Sequence, residues 1–134
     1  WLSMDTSVAG GGHGAAASPV EMVLAALAGC MAMDILSILE KMRVHLEDFR
    51  IEASAERAPE PPRVFTKVAL TIRVRGDVKP RQLERAIALS HEQYCSVGAM
   101  LKPTVPIEHH YILEPSTNPA PTHGTEIGAI RDDA

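Results

Sequence analysis

The chain has 134 residues, 46% of them hydrophobic, and a formal net charge of −4 at pH 7. This length and apolar content predict a single domain with its own core. The interspersed acids and bases form no block of like charge, so nucleic acid and an anionic membrane surface are not expected as partners.

The first predicted element is a glycine-rich loop. Residues 9–17 read Ala-Gly-Gly-Gly-His-Gly-Ala-Ala-Ala, a composition with little preference of its own, which predicts a flexible connection. A phosphate-binding loop is not favoured, because no strong strand precedes the glycines and the helix starts only after an alanine run.

A long helix with a clear start signal follows. Ser18 as N-cap, Pro19 at the first helical position and Glu21 at the third form a capping box. The pattern runs to Met42, roughly 36 Å at 1.5 Å per residue. Its uncharged stretch, Met22 to Met33, is shorter than the roughly 20 residues that span a bilayer, so no membrane segment is predicted. A helix apolar on all sides is buried on all sides, and this one needs more cover than one small chain supplies.

Two strands and a second helix come next. Apolar and polar residues alternate over Phe49–Glu56 and again over Val64–Val74, with a proline-rich turn between them, which predicts a half-buried antiparallel hairpin. Pro80–Tyr94 has the spacing of an amphipathic helix, a short helical segment starts at Cys95, and a last strand is predicted over Thr104–Leu113.

The order of these elements predicts an α+β fold with an antiparallel sheet and a long central helix. We assign residues 1–114 to one domain. Residues 115–134 are rich in Pro, Thr, Gly and Asp without periodicity, so they are predicted to be an irregular C-terminal tail.

Cys30 and Cys95 are the only cysteines, and both lie in helical segments. Two cysteines are too few for a disulfide scaffold, so a reducing, cytoplasmic setting is expected. Their placement favours redox chemistry over a structural disulfide, while the alternative that both are small buried hydrophobic residues is equally compatible with the spacing. No Cys-x-x-Cys or His-x-x-x-His spacing is present, so no metal is predicted. 

Two polar residues lie close to the cysteines in sequence. Asp34, one helical turn beyond Cys30, would raise the pKa of a thiol if it were near one, and it is assigned to the helix surface or an interface. His91, one turn before Cys95, is expected to be exposed on a solvated helix face.

Several segments together resemble the OsmC/Ohr family of thiol peroxidases. The first is Ser18-Pro19 followed by an apolar run into Ala28-Gly29-Cys30, and the second is Tyr94-Cys95-Ser96-Val97. The segments Ser-Pro-x-Glu-Met at 18–22 and Arg-x-Phe-Thr at 63–66 are most similar to the OsmC-like branch. The resemblance covers about residues 15–114.

This resemblance implies an intertwined homodimer whose central helices pack together, with active sites at the interface. It implies reduction of organic hydroperoxides without a cofactor: Cys30 attacks the peroxide and becomes a sulfenic acid, Cys95 closes a disulfide, and an external dithiol reduces it. The apolar part of the substrate needs a pocket, for which the candidates are Leu27, Met31, Met33, Met100 and Leu101.

The chain also departs from the family pattern. Val20 follows Pro19 where the family has a glutamate, and no arginine precedes Arg43, although family members pair an N-terminal arginine with that glutamate. Arg63 and then Arg57 are the candidate replacements, with Glu21 as a further supporting residue that its capping role also explains.

An N-terminal strand or hairpin, usual in the family, is expected to be missing before Trp1, and the activating arginine could lie there instead. These departures leave an alternative open. In it the chain is a catalytically weak OsmC-like dimer that binds an apolar or thiol-containing small molecule.

Overall fold

A computed structural model describes residues 1–118 and the backbone of 126–130. A 3-10 turn at Val8–Gly10 precedes the regular elements, and a single π-helical turn at Ser90–Tyr94 follows the second helix. The elements are α1 (Pro19–Lys41), β1 (Leu46–Arg57), β2 (Phe65–Gly76), α2 (Pro80–Leu89), α3 (Ser96–Leu101), β3 (Ile107–Glu114) and β4 (Glu126–Ile130). The α+β class predicted from the sequence is confirmed.

The four strands form one mixed sheet in the order β1-β2-β3-β4. β1 and β2 pair antiparallel as predicted, with Ile51 opposite Ile72. β2 and β3 pair in parallel, however, with Ile72 opposite Tyr111, so the prediction of a wholly antiparallel sheet is wrong at this pair. The cause is the connection: α2 and α3 lie between these strands, and a helical crossover returns the chain to the same end of the sheet.

β4 lies within the tail that was predicted to be irregular. Glu126–Ile130 pairs antiparallel with β3, so this part of the prediction needs correction. A strand added at an open sheet edge gains its stability from backbone hydrogen bonds, which composition does not reveal. The domain boundary at residue 114 stays a prediction, and residues 119–125 and 131–134 lie outside the described part of the chain.

Hydrogen bonds join the glycine-rich loop to Asp5 in the segment that precedes it, while the predicted flexibility of the loop stays a prediction. The Asp5 carboxylate accepts hydrogen bonds from the backbone N–H groups of Thr6, His13 and Ala15 at 2.8, 3.1 and 2.9 Å. A Cβ at Gly12 would lie 2.2 Å from the Thr6 carbonyl oxygen, so the turn requires glycine there. A short acidic side chain that bonds nearby backbone groups organises the loop.

One apolar core joins the helices to the inner face of the sheet. α1 contributes a stripe at helical spacing, and β2 contributes every second residue, as the alternation predicted. The fully buried members include Leu27, Met31, Ile35 and Leu39 from α1, Val68, Leu70, Ile72 and Val74 from β2, and Leu83, Ala86 and Ile87 from α2.

The opposite face of α1 is open to solvent. Only 28% of its most apolar 18-residue window is buried, and the mean hydropathy of that window is 2.2. By length and composition alone α1 is long and apolar enough to cross a membrane, so its short uncharged run does not exclude a membrane span. The core helix of a soluble protein meets the same two criteria. The open face carries Ala25, Ala26, Gly29, Met33 and Leu36.

Candidate functional site

Cys30, Asp34 and Cys95 meet in one cluster. One ligand atom from each residue, the two sulfurs and a carboxylate oxygen, lies within 4.8 Å of the others. Cys30 and Asp34 are one turn apart on α1, so their side chains share a helix face. Both cysteines are reduced; Cys30 is half-buried and Cys95 is buried. The fold therefore brings together two thiols that are far apart in the sequence.

The turn before α3 positions Cys95. α2 ends at Leu89 and widens into the π-helical turn Ser90–Tyr94, so the single helix predicted over Pro80–Tyr94 changes type partway. The Cys95 N–H donates to the Ser90 carbonyl at 2.8 Å, which closes that turn. Cys95 is then the N-cap of α3, where its Sγ accepts a hydrogen bond from the Gly98 N–H at 3.2 Å. A Cβ at Gly98 would lie 3.3 Å from Sγ, so glycine allows this close approach.

Ser90 fixes the orientation of Asp34. The fully buried Ser90 hydroxyl donates to Asp34 Oδ2 at 2.9 Å. Sequence reasoning assigned Asp34 to the surface or an interface, and it placed Ser90 only on the stripe of the amphipathic helix Pro80–Tyr94, with no role at the site. The available signal was an acidic residue four positions after Cys30 in an otherwise apolar stretch. Asp34 and Ser90 are thus the site residues that the sequence alone missed.

The surroundings of Cys95 favour its protonated form. Burial is the main cause that raises the pKa of Cys95 to about 11. The Gly98 N–H acts in the opposite direction, while Cys30 and the Asp34 carboxylate raise the pKa further. The expectation that a nearby Asp34 raises a thiol pKa therefore applies to Cys95, which is a thiol at neutral pH.

The predicted supporting residues lie in the first turn of α1, at the end of β1 and in the connection between β1 and β2. The Ser18 N–H donates to Glu21 Oε2 at 2.7 Å and the Glu21 N–H to Ser18 Oγ at 3.2 Å, so the predicted capping box forms. These bonds, with a smaller contribution from Arg57, lower the pKa of Glu21. The Arg57 Nε–H donates to the Arg63 carbonyl at 2.8 Å. These three hydrogen bonds stay within the capping box and within the segment from Arg57 to Arg63, and none of them involves a cysteine sulfur.

The predicted pocket residues divide into two groups. Leu27 and Met31 are fully buried in the core, and Leu101 packs against it at its edge. Met33 and Met100 are 76% and 68% exposed. The five side chains therefore divide between the core and the solvent-exposed surface of one chain, and a pocket at an interface stays a proposal.

A cleft of about 520 Å³ lies elsewhere, among residues that include Arg73, Arg75 and Glu114. None of the predicted pocket residues lines it. His91 also differs from its prediction, because it is buried and its ring stands edge-on to His109 with the centroids 4.6 Å apart. Both imidazoles belong to the interior of the fold.

The mixed sheet, the long apolar helix and the paired thiols define a class of protein. The family model described as OsmC-like protein matches residues 11–110. The chain therefore belongs to the OsmC-like family, as the resemblance implied. It is 46% identical over 97 residues to protein YhfA of Escherichia coli K12, a match that covers 72% of each chain.

Solved structures share the fold. A hypothetical protein from Aquifex aeolicus VF5 is 28% identical and superposes with a TM-score of 0.73 over 76% of this chain and 77% of its own. An organic hydroperoxide resistance protein OsmC from Legionella pneumophila is 22% identical, with a TM-score of 0.63 over 87% of this chain and 81% of its own. At that identity the second likeness shows the fold alone.

Proposed function

We propose that the protein is a cysteine-based thiol peroxidase that reduces organic hydroperoxides to alcohols. The observation that carries the proposal is the approach of two reduced sulfurs to within 4.8 Å, one partly accessible and one buried. Membership of the OsmC-like family supports it, as does the shared fold of the Legionella protein named for hydroperoxide resistance.

Cys30 is the proposed attacking residue, because it is the more accessible of the two. Its thiolate attacks the distal oxygen of the hydroperoxide, so that an S–O bond forms as the O–O bond breaks. The alkoxide leaves and takes up a proton to become the alcohol. Cys30 is then a sulfenic acid.

Cys95 is the proposed resolving residue. Its thiol must lose a proton, and the Asp34 carboxylate within 4.8 Å of the sulfur is placed to accept it. The Cys95 thiolate attacks the sulfenic sulfur, and the departing hydroxide takes the proton and leaves as water. The sulfurs then close to about 2.05 Å in a disulfide. An external dithiol restores the thiols by exchange, and the reducing cytoplasm is the proposed compartment.

The proposed functional unit is a homodimer formed through the open face of α1. A second copy of that helix would cover the exposed apolar side chains and add walls to a pocket that includes Met33. Arg63, and after it Arg57, is proposed to reach Cys30 across this interface, since an attacking thiolate needs a nearby cation. Arg57 is the last residue of β1 and Arg63 lies in the connection to β2, and both are exposed where a partner could reach them.

The test is to count thiols in reduced protein after one equivalent of an alkyl hydroperoxide. We expect loss of both thiols in the native chain, a trapped sulfenic acid at Cys30 in Cys95→Ser, and none in Cys30→Ser. Equal reactivity of the two variants would contradict the assigned roles. Unreacted thiols in a protein that binds an apolar thiol compound would instead favour the catalytically weak binding protein.

A further inference from the structure

The cluster of Cys30, Asp34 and Cys95 has the composition of a metal site as well as that of a redox site. Thiolate sulfur is a soft ligand that selects zinc over magnesium or calcium, and a carboxylate completes many zinc sites. From these donors and their spacing we propose that the reduced protein binds one zinc ion through Cys30 Sγ, Cys95 Sγ and an Asp34 carboxylate oxygen.

The distances allow this with small side-chain movements. Zinc holds sulfur at about 2.3 Å and carboxylate oxygen at about 2.0–2.2 Å, so tetrahedral ligand atoms are roughly 3.6–3.8 Å apart. The three atoms in the structure lie within 4.8 Å of one another before any ion draws them in. Three protein ligands leave the fourth position for water or another exchangeable ligand.

Two further hydrogen bonds orient the ligands. Ser90 donates to Asp34 Oδ2, which fixes the plane of the carboxylate and leaves Oδ1 for the ion. The Gly98 N–H donates to Cys95 Sγ and stabilises negative charge on that sulfur. Partners of this kind around a ligand are worth about 10–100-fold in metal affinity.

The sequence did not suggest this site, since it lacks paired Cys-x-x-Cys and His-x-x-x-His motifs. Cys30 and Asp34 nevertheless have the same four-residue helical spacing as the histidines of the second motif, which places both side chains on one face. The third ligand comes from the start of α3, a position that only the fold supplies.

The metal would regulate the chemistry of the same site, a consequence that rests on the proposed peroxidase function. An ion that occupies both sulfurs protects them from attack. An organic hydroperoxide, two thiolates and two protons give the alcohol, water and the disulfide; the sulfurs lose two electrons to the O–O bond. The disulfide removes two of the three ligands, so zinc leaves. The ion would therefore bind only the reduced protein.

The experiment is a titration of the reduced, metal-free chain with zinc in competition with a chromophoric chelator. We expect one zinc per chain, loss of binding in Cys30→Ser and Cys95→Ser, and weakening of at least about tenfold in Asp34→Asn and Ser90→Ala. Cobalt in place of zinc should show thiolate charge-transfer absorption that each cysteine variant diminishes. Glu40→Gln, an exposed acid on the same helix, is the matched control and should bind as the native chain does.

Absence of zinc binding by the folded, reduced chain, or equal affinity in Asp34→Asn and Glu40→Gln, would overturn the proposal. Circular dichroism of each variant shows whether lost zinc binding results from unfolding or from the loss of a ligand. If Ser90→Ala does not fold, the zinc affinity of Asp34→Asn alone tests the proposal. Thiol counting in metal-free protein tests the peroxidase function separately from the zinc site. Zinc binding with thiols that hydroperoxide leaves intact would contradict the peroxidase function alone, and thiol oxidation without zinc binding would contradict the zinc site alone.

Discussion

At the scale of single residues, the two cysteines differ because their surroundings differ. Cys95 is buried beside a carboxylate and a second sulfur, and these raise its pKa to about 11. The local sequence Tyr-Cys-Ser-Val does not reveal this, because Asp34 and Ser90 meet across 56 positions of the chain. The reactive pair could be predicted from its sequence context, whereas the groups that control it depend on contacts between distant elements.

We predict that removal of the Asp34 charge lowers the pKa of Cys95. A carboxylate disfavours a neighbouring thiolate, so its neutral analogue should allow ionisation at lower pH. Thiolate absorbance against pH, compared between Cys30→Ser and Cys30→Ser with Asp34→Asn, measures the change. An unchanged titration curve would mean that Asp34 does not act on this sulfur.

A second residue-scale prediction concerns acid. Hydrogen bonds from Ser116 and Thr117, that of Ser116 being the largest cause, lower the pKa of Glu47 from 4.5 to about 2. A carboxyl whose folded pKa is depressed stabilises the fold above its unfolded pKa, and this contribution is lost as pH falls.

The attachment of residues 116–117 to Glu47 should therefore weaken between about pH 4.5 and pH 2. Hydrogen exchange or NMR shifts of the Thr117 amide, which donates to Glu47 at 3.0 Å, report it. In Glu47→Gln the acid-dependent change should disappear, and its persistence there would assign it to another group.

At the scale of elements, the sequence predicted the helix start and the strands that depend on interactions between residues close together in the chain. The capping box marks the start of α1, and strict alternation marks β1 and β2. The parallel pairing of β2 with β3 and the addition of β4 depend on which strand edges meet after the helices have packed. Those contacts are remote in sequence, so periodicity could not predict them.

The β2 terminus provides a test at this scale. Gly76 has a φ of +147°, and a Cβ there would lie 2.5 Å from the His45 carbonyl oxygen. Gly76→Ala should destabilise the fold by about 1–3 kcal/mol, the usual cost of a residue forced into a region reserved for glycine. Denaturant unfolding measures the difference. Stability equal to that of the native chain would show that this turn relaxes freely.

At the scale of the whole molecule, the exposed face of α1 indicates association. A monomer would leave a stripe that includes Ala26, Gly29 and Met33 in water along one side of its central helix. The sequence predicted this from the all-round apolar helix, and the structure shows which face is left uncovered. The second copy itself stays a prediction.

Ala26→Glu should convert the proposed dimer to a monomer. Glutamate is a good helix former, so the change costs little on an exposed helix but places an unpaired charge in a helix–helix interface. Sedimentation of native and variant protein over a range of concentrations measures the effect. Arg81→Glu, on the exposed side of α2, should leave the association unchanged. A native chain that is monomeric at all concentrations would contradict the proposed interface.

The central claim is that Cys30 and Cys95 act as one redox pair. The most direct measurement is peptide mapping by mass spectrometry after the reduced chain has met one equivalent of an alkyl hydroperoxide. We predict a disulfide that joins the Cys30 and Cys95 peptides of the same chain. Two intact thiols, or oxidation of one cysteine without the other, would contradict the claim.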